Sequence, residues 1–232
     1  DPVDVSVTNT DDDIAGFTVK PTAGLVTTEA GGSATFTVVL TSQPTADVVI
    51  PITSSALNEG VVPMSNLTFT STNWNLPQTV AVTGVDDAVQ DGDQAYLISL
   101  MPAVIVDPLY SGMDAPDVAV TNTDDDVAGV TVTPTAGLVT DESGARASFT
   151  LALTSQPTAD VTITLASSDV TEGTVTPSAV VFTPATWNLP QVATVKGMDD
   201  TENDGDQTYH ILTGATSSSD PNYAGLEVAD VD

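Results

Sequence analysis

The chain has 232 residues, 41% of them hydrophobic, and carries 32 Asp and Glu against three cations, Lys20, Arg146 and Lys196, for a net charge of −29. Such a charge excludes a nucleic-acid backbone or an anionic lipid surface as partner. The absence of Cys removes disulfides, thiol catalysis and thiolate metal sites together, and no run of 18 apolar residues suggests a spanning helix.

In chain order, residues 1–13 (DPVDVSVTNTDDD) read as a strand and acidic tail that would complete a preceding module. Gly16 to Lys20 reads as an opening strand, followed by a PTAG turn. Ser33 to Thr41 alternates, with Ala34, Phe36, Val38 and Leu40 on one face. A QPTAD turn leads to Val48 to Thr53. Leu67 to Thr70 and Thr79 to Val85 follow, separated by an STNWNLP corner, and Ala95 to Leu100 and Val118 to Thr123 close the set. Val and Thr dominate these segments; their branched side chains pack well on a pleated surface and lose rotamer freedom in helices. Short strands bounded by turn signals predict an all-β fold, an immunoglobulin-like Greek-key β-sandwich of about seven strands.

The whole pattern returns at a constant offset of 113: VTNTDDDIAG at 7–16 reappears at 120–129 as VTNTDDDVAG, and WNLPQ at 74–78 reappears at 187–191. A period of this length is a domain, not a solenoid turn. The chain therefore divides into residues 1–13, a first repeat at 14–126, and a second at 127–232 whose last strand is incomplete. Ala147, Phe149, Leu151 and Leu153 form the inward face of the second repeat's long strand. Trp74 and Trp187 are expected to cap the cores, and Tyr96, Tyr110, Tyr209 and Tyr223 to serve structure.

The acids are bunched. One place is just before the long strand, at Glu29 and at Glu142 beside Asp141. Another is the loop holding Asp86, Asp87, Asp91 and Asp93, repeated as Asp199, Asp200, Glu202, Asp204 and Asp206. The third is a triple Asp, at Asp11, Asp12 and Asp13 and again at Asp124, Asp125 and Asp126. In an alternating sandwich these places lie at one end. Disorder or a uniformly solvated acidic surface would also explain high acidity. Alternating strands argue against the first, and bunching argues against the second. Like charges this dense either raise their pKa values sharply or hold a multivalent cation, and hard oxygen donors without His or Cys favour Ca²⁺, with several ions per chain expected. Asp107, Asp114 and Asp117, matched by Asp220, Glu227 and Asp230, form a weaker candidate that reads equally well as a structured loop.

TTEAGGSATFTVVL, VTGVDDAVQDGDQAYLISL and VAVTNTDDD together resemble the Calx-beta motif of sodium–calcium exchangers and bacterial surface proteins. By position, the resemblance implies calcium ligation by Glu29, Asp86, Asp87, Asp91, Asp93 and Asp124 to Asp126, and by their counterparts in the second repeat. The middle strands depart from that motif, with SSALNEG and SSDVTEG in its place. There Glu59 and Glu172 are either substitute ligands or surface hairpin carboxylates.

These observations predict a structural, extracellular repeat protein: a calcium-rigidified head-to-tail fibre or adhesin stalk with Ca²⁺ at the inter-domain junctions. Its expected partners are copies of itself, joined by donor-strand assembly or as a covalent tandem array, and its strands are not expected to insert in a membrane. A calcium-dependent glycan- or surface-binding adhesin module is the alternative, with the MPAVIV segment at 101–106 as its variable surface. A calcium sensor fits less well. An enzyme is not expected, since His210, the one His, replaces Leu97 and has no nucleophile motif around it.

Overall fold

The computed structural model describes residues 2–104, 107–203 and 205–232. It is all-β, and among the described residues no helix is long and apolar enough to cross a membrane. The chain folds as two compact units, residues 1–87 with 92–125 and residues 88–91 with 126–232.

Among the described residues, the first unit contains nine strands: β1 (Phe17–Lys20), β2 (Leu25–Thr28), β3 (Ser33–Leu40), β4 (Val48–Ser54), β5 (Gly60–Val61), β6 (Asn66–Phe69), β7 (Gln78–Gly84), β8 (Gln94–Leu100) and β9 (Val118–Thr123). They form a four-stranded sheet, β1-β3-β7-β5, and a five-stranded sheet, β2-β9-β8-β4-β6. The alternation in the sequence becomes the core: Phe36, Val38 and Leu40 from β3 and Val80 and Val82 from β7 meet Ile50, Tyr96, Ile98, Leu100, Val118 and Val120 from the other sheet. Burying one side chain of this size stabilises by about 1.5–3 kcal/mol. Trp74 packs half-buried against this cluster, and its carbonyl accepts the Leu40 N–H at 3.1 Å.

The second unit repeats most of this plan with β10 (Val130–Thr133), β11 (Arg146–Leu153), β12 (Val161–Ser167), β13 (Gly173–Thr176), β14 (Ala179–Phe182), β15 (Gln191–Gly197) and β16 (Ile211–Thr213). Its sheets are β10-β11-β15-β13 and β14-β12-β16. β11 has the same burial alternation as β3, and Trp187 lies against its core as Trp74 does in the first unit.

Among the described residues the seven expected strands of the first unit are joined by β2 and β5, and the second unit has β13, the counterpart of β5, but no strand after β16. Pro21 separates β1 from β2; with no N–H to donate, it interrupts the ladder there. β1 pairs antiparallel with β3, and beyond the interruption β2 joins the opposite sheet, parallel to β9. Residues 2–13 carry no strand and are exposed.

Each unit fastens its long loop with a tyrosine and an aspartate. The Tyr110 hydroxyl donates to the Ser42 carbonyl at 2.8 Å, and Tyr223 does the same to Ser155 at 2.6 Å. Asp107 accepts from the N–H and hydroxyl of Thr45 and from the Leu109 N–H; Asp220 accepts from the N–H groups of Thr158 and Asn222. Both are buried, and Asp117 and Asp230 likewise bond to strand amides, those of Leu100 and Thr213. These carboxylates of the weaker candidate hold their own loops together.

Candidate metal centre

The parallel pairing of β2 with β9 creates the first carboxylate group. Its register matches Thr28 with Thr123, so the next residues, Glu29 and the triple Asp, leave the sheet side by side. The Glu29 N–H donates to the Thr123 carbonyl at 3.1 Å, and the Asp125 N–H approaches Glu29 Oε2 at 3.4 Å. Glu29, Asp125 and Asp126 each offer an oxygen, all within 4.8 Å of one another. Glu29 is only 3% exposed.

The second group is set by β5. Gly60 pairs with Gly84 at the end of β7, and the Val85 N–H donates to the Glu59 carbonyl at 3.0 Å, so Glu59 sits at the entrance of the loop carrying Asp86 and Asp87. Glu59, Asp87 and Asp91 again offer oxygens within 4.8 Å of one another. Glu59 is 6% exposed, with Asn58 donating to its Oε1 at 2.6 Å. It is therefore not a surface hairpin carboxylate. Two unit charges at this spacing repel by about 3 kcal/mol at an effective dielectric of 20, less where water screens the exposed members. An all-carboxylate, hard-oxygen donor set relieved by a divalent cation fits calcium better than zinc or copper.

The other expected ligands are placed differently. Asp124 is tied to the acidic loop, accepting the Gly92 N–H at 2.7 Å while its own N–H donates to Asp93 Oδ1 at 3.2 Å. Asp86 is exposed and belongs to neither group of three. Asp11, Asp12 and Asp13 are exposed, with the Asp13 N–H on Asp11 Oδ1 at 3.1 Å. In the second unit, Glu142 is exposed where Glu29 is buried, and Asp199, Asp200, Glu202 and Asp206 join no group of three among the described residues. Asp200 accepts from the Glu202 N–H within its own loop. Asp204 lies outside the described residues, as do Ile105 and Val106 of the MPAVIV segment; Met101 and Val104 of that segment are exposed. The Ser143 hydroxyl and the Ala145 N–H hold Asp141 below the usual carboxylate range. At the equivalent place in the first unit, Thr28 Oγ1 accepts the Gly32 N–H at 3.0 Å, so both residues serve their turn.

Beneath the first group lies a buried polar knot. Thr27 donates to Asn122 Oδ1 at 3.0 Å and shares a 3.1 Å hydrogen bond with the Tyr96 hydroxyl; Asn122 Nδ2 donates to the Val85 carbonyl at 3.0 Å. The knot ties β2, β8, β9 and the exit of β7 together, which fixes where Glu29 and the acidic loop emerge. Gly84 belongs to it, since a methyl there would run into the Thr28 carbonyl and the Asn122 side chain. Burial pushes the Tyr96 hydroxyl up from its ordinary value. These residues were open to detection through the repeat: Thr27 returns as Thr140, Tyr96 as Tyr209, and Asn122 matches Asn9.

No family model matches the chain, and no curated protein matches it significantly. Among solved structures, the chain is similar to CBD12 from CALX1.2, at 15% identity over 88% of this chain and 82% of that one, TM-score 0.39. It is also similar to the calcium binding domain CBD12 of CALX1.1, at 16% identity over 87% and 80%, TM-score 0.39. For the apo-form Calx CBD1 domain the values are 18% identity, 49% of this chain and all of that one, TM-score 0.36.

Proposed function

We propose that the chain is a calcium-binding, structural repeat protein, with no catalytic role, that works outside the cell as part of a stalk or fibre. The observation that carries the reading is the pair of three-carboxylate groups, each built on a buried Glu and assembled by the sheet rather than scattered over the surface. Glu29, Asp125 and Asp126 would hold one ion, and Glu59, Asp87 and Asp91 another. The ion supplies charge neutralisation, with carbonyls or water completing the 6–8 oxygens that calcium takes.

Asp126 is followed directly by Val127, the start of the second repeat. An ion on Asp125 and Asp126 would thus restrain the backbone where one repeat passes into the next, which suits a stalk. Millimolar extracellular calcium is enough for sites of modest affinity. Three cations against 32 acids leave the chain few charges of its own for neutralisation.

The test is limited proteolysis and solution scattering in calcium and in excess chelator. Chelation is expected to speed cleavage within 86–93 and 120–129 and to broaden the scattering profile, because metal binding contributes ordering free energy. A profile and cleavage pattern unmoved by chelator would refute the reading.

A further inference from the structure

Two matching sheet edges, one in each unit, are finished differently. β6 and β14 are outer strands, paired on one side only, to β4 and to β12. Both lie in stretches without charge: no Asp, Glu, Lys, Arg or His occurs between Glu59 and Asp86, nor between Glu172 and Lys196, in a chain of net charge −29. Hydrogen bonds alternate along an antiparallel pair, so every second residue of an outer strand turns its N–H and C=O away from its neighbour. In the second unit the Leu165 N–H donates to the Ser178 carbonyl at 2.8 Å, and Thr162, which faces Val181, exchanges its backbone bonds with Ser217 on the other side. Ala179 and Val181 therefore present their backbone groups to the open edge.

Asn66 and Thr68 hold that place in the first unit, since Val49, which faces Thr68, gives its carbonyl to the Val104 N–H at 2.9 Å. There the edge is capped. The Thr68 carbonyl accepts Gln78 Nε2 at 2.8 Å and Asn73 Nδ2 at 3.4 Å. In the second unit Thr186 stands where Asn73 does and accepts the Thr183 N–H at 3.3 Å, so among the described residues no side chain caps the Val181 carbonyl. The Val181 side chain is 46% exposed.

We infer that the β14 edge is where two copies of this chain join, strand to strand and antiparallel about a two-fold axis, with Ala179 of one copy opposite Val181 of the other. An edge with open N–H and C=O groups is a template for another strand, and main-chain bonds supply the affinity in strand addition. The occupant follows from charge. Two copies of so acidic a chain repel wherever their carboxylates approach, and at β14 they meet over a stretch that has none. A cationic partner would gain more at the acidic loops. The register follows from what bounds the edge. Pro177 has no N–H to donate, and the Thr183 N–H is engaged by Thr186. Ala179 and Val181 remain, and setting each opposite the other makes both pairings hydrogen-bonded, with the axis passing at Val180. Centring the pair on Val181 would instead bring Ala179 to the occupied Thr183. Val181 then lies beside Ala179 of the second copy as an apolar cross-strand pair. Because the same surface serves both copies, the contact closes as a dimer and does not propagate. It needs no calcium and stands apart from the calcium reading.

Sedimentation and disulfide trapping test this, both in chelator with high salt, which removes any calcium bridge and screens the carboxylates. The chain is expected to sediment as a concentration-dependent mixture of monomer and dimer. Val181→Glu, which sets a carboxylate beside the axis, should abolish the dimer, whereas Thr68→Glu at the capped edge should leave it unchanged; circular dichroism verifies both folds. For trapping, in a chain without native Cys, an Ala179→Cys chain is mixed with a mass-tagged Val181→Cys chain under mild oxidation. Opposite residues of a hydrogen-bonded pair lie about 5.5 Å apart at Cα, within disulfide reach, while the Val181 positions of the two copies are roughly 9 Å apart and beyond it. The mixed-mass dimer should therefore dominate over both homodimers, and a dominant Val181→Cys homodimer would overturn the register. A parent chain that stays monomeric, or a dimer that survives Val181→Glu, would overturn the pairing even if calcium binds. A dimer lost with Val181→Glu alongside a flat calcium titration would retain the pairing and discard the calcium reading.

Discussion

Residues 25–28 and 138–141 differ at only one of four positions in sequence, LVTT against LVTD, yet the first segment is a strand and the second is not. The difference lies in the partner. Leu25 to Thr28 pair with Val120 to Thr123, whereas residues 138–141 carry no strand pairing among the described residues. The same contrast splits the following pair: β8 runs from Gln94 to Leu100, whereas β16 begins only at Ile211. Strand formation at this edge is therefore a property of pairing and not of local propensity. Burial of the first carboxylate depends on it as well, since Glu29 is buried and Glu142 exposed.

Amide hydrogen exchange should register this contrast most strongly. Paired amides of β2 and of the first half of β8 should exchange about 10³-fold or more slowly than those of 138–141 and 207–210, since unpaired edges open at little cost. Equal protection in the two units would refute the role given to β9.

Next come Asp107→Asn and Asp220→Asn, each replacing a buried carboxylate that accepts several N–H bonds. Each should cost about 1.5–3 kcal/mol in its own unit, measured by denaturant unfolding. The carboxyl of Asp107 is held below the usual range by the N–H groups of Leu109 and Thr45, which outweigh burial. For Asp220, burial pushes upward as the largest single influence, and the N–H bonds of Thr158, Asn222 and Tyr223 with the Thr158 hydroxyl override it. A lowered folded pKa means that the stabilisation is fully present above the unfolded value near 4 and is lost as pH falls through the folded value. Both variants should therefore show a shallower loss of stability on acidification than the parent. An unchanged acid profile would count against the loop role.

A smaller effect separates the polar knots. Thr27→Val should cost about 1–2 kcal/mol, because Asn122 and the Tyr96 hydroxyl lose a buried partner. Thr140→Val should cost less than half as much, since Thr140 and Tyr209 are already half solvated. Equal costs would show that the knot gains nothing from Asn122.

The long alternating strands were legible in the sequence because Phe36, Val38 and Leu40, and likewise Phe149, Leu151 and Leu153, recur with period two. β2 was not. Its four residues follow a turn, alternate weakly, and find their partner in parallel some 95 residues later. The places where acids gather were also legible, but not which of them meet. Glu29 reaches Asp125 through that unseen strand. Glu59 enters its group because the two-residue β5 pairs Gly60 with Gly84, an event too short to leave a periodic signal. Asp124 and Asp93, alike in sequence to the others, were instead drawn into hydrogen bonds with backbone N–H groups, Asp124 with that of Gly92 and Asp93 with that of Asp124.

The calcium-binding role requires that Glu29, Asp125 and Asp126, and Glu59, Asp87 and Asp91, be the ligands. A calorimetric calcium titration of the chain beside Glu29→Gln and Glu59→Gln variants decides this. Saturable binding at millimolar calcium or tighter is predicted, with each variant losing one class of sites while its fold, followed by circular dichroism, persists. No saturable heat in the parent chain, or titrations unaltered by both substitutions, would contradict it.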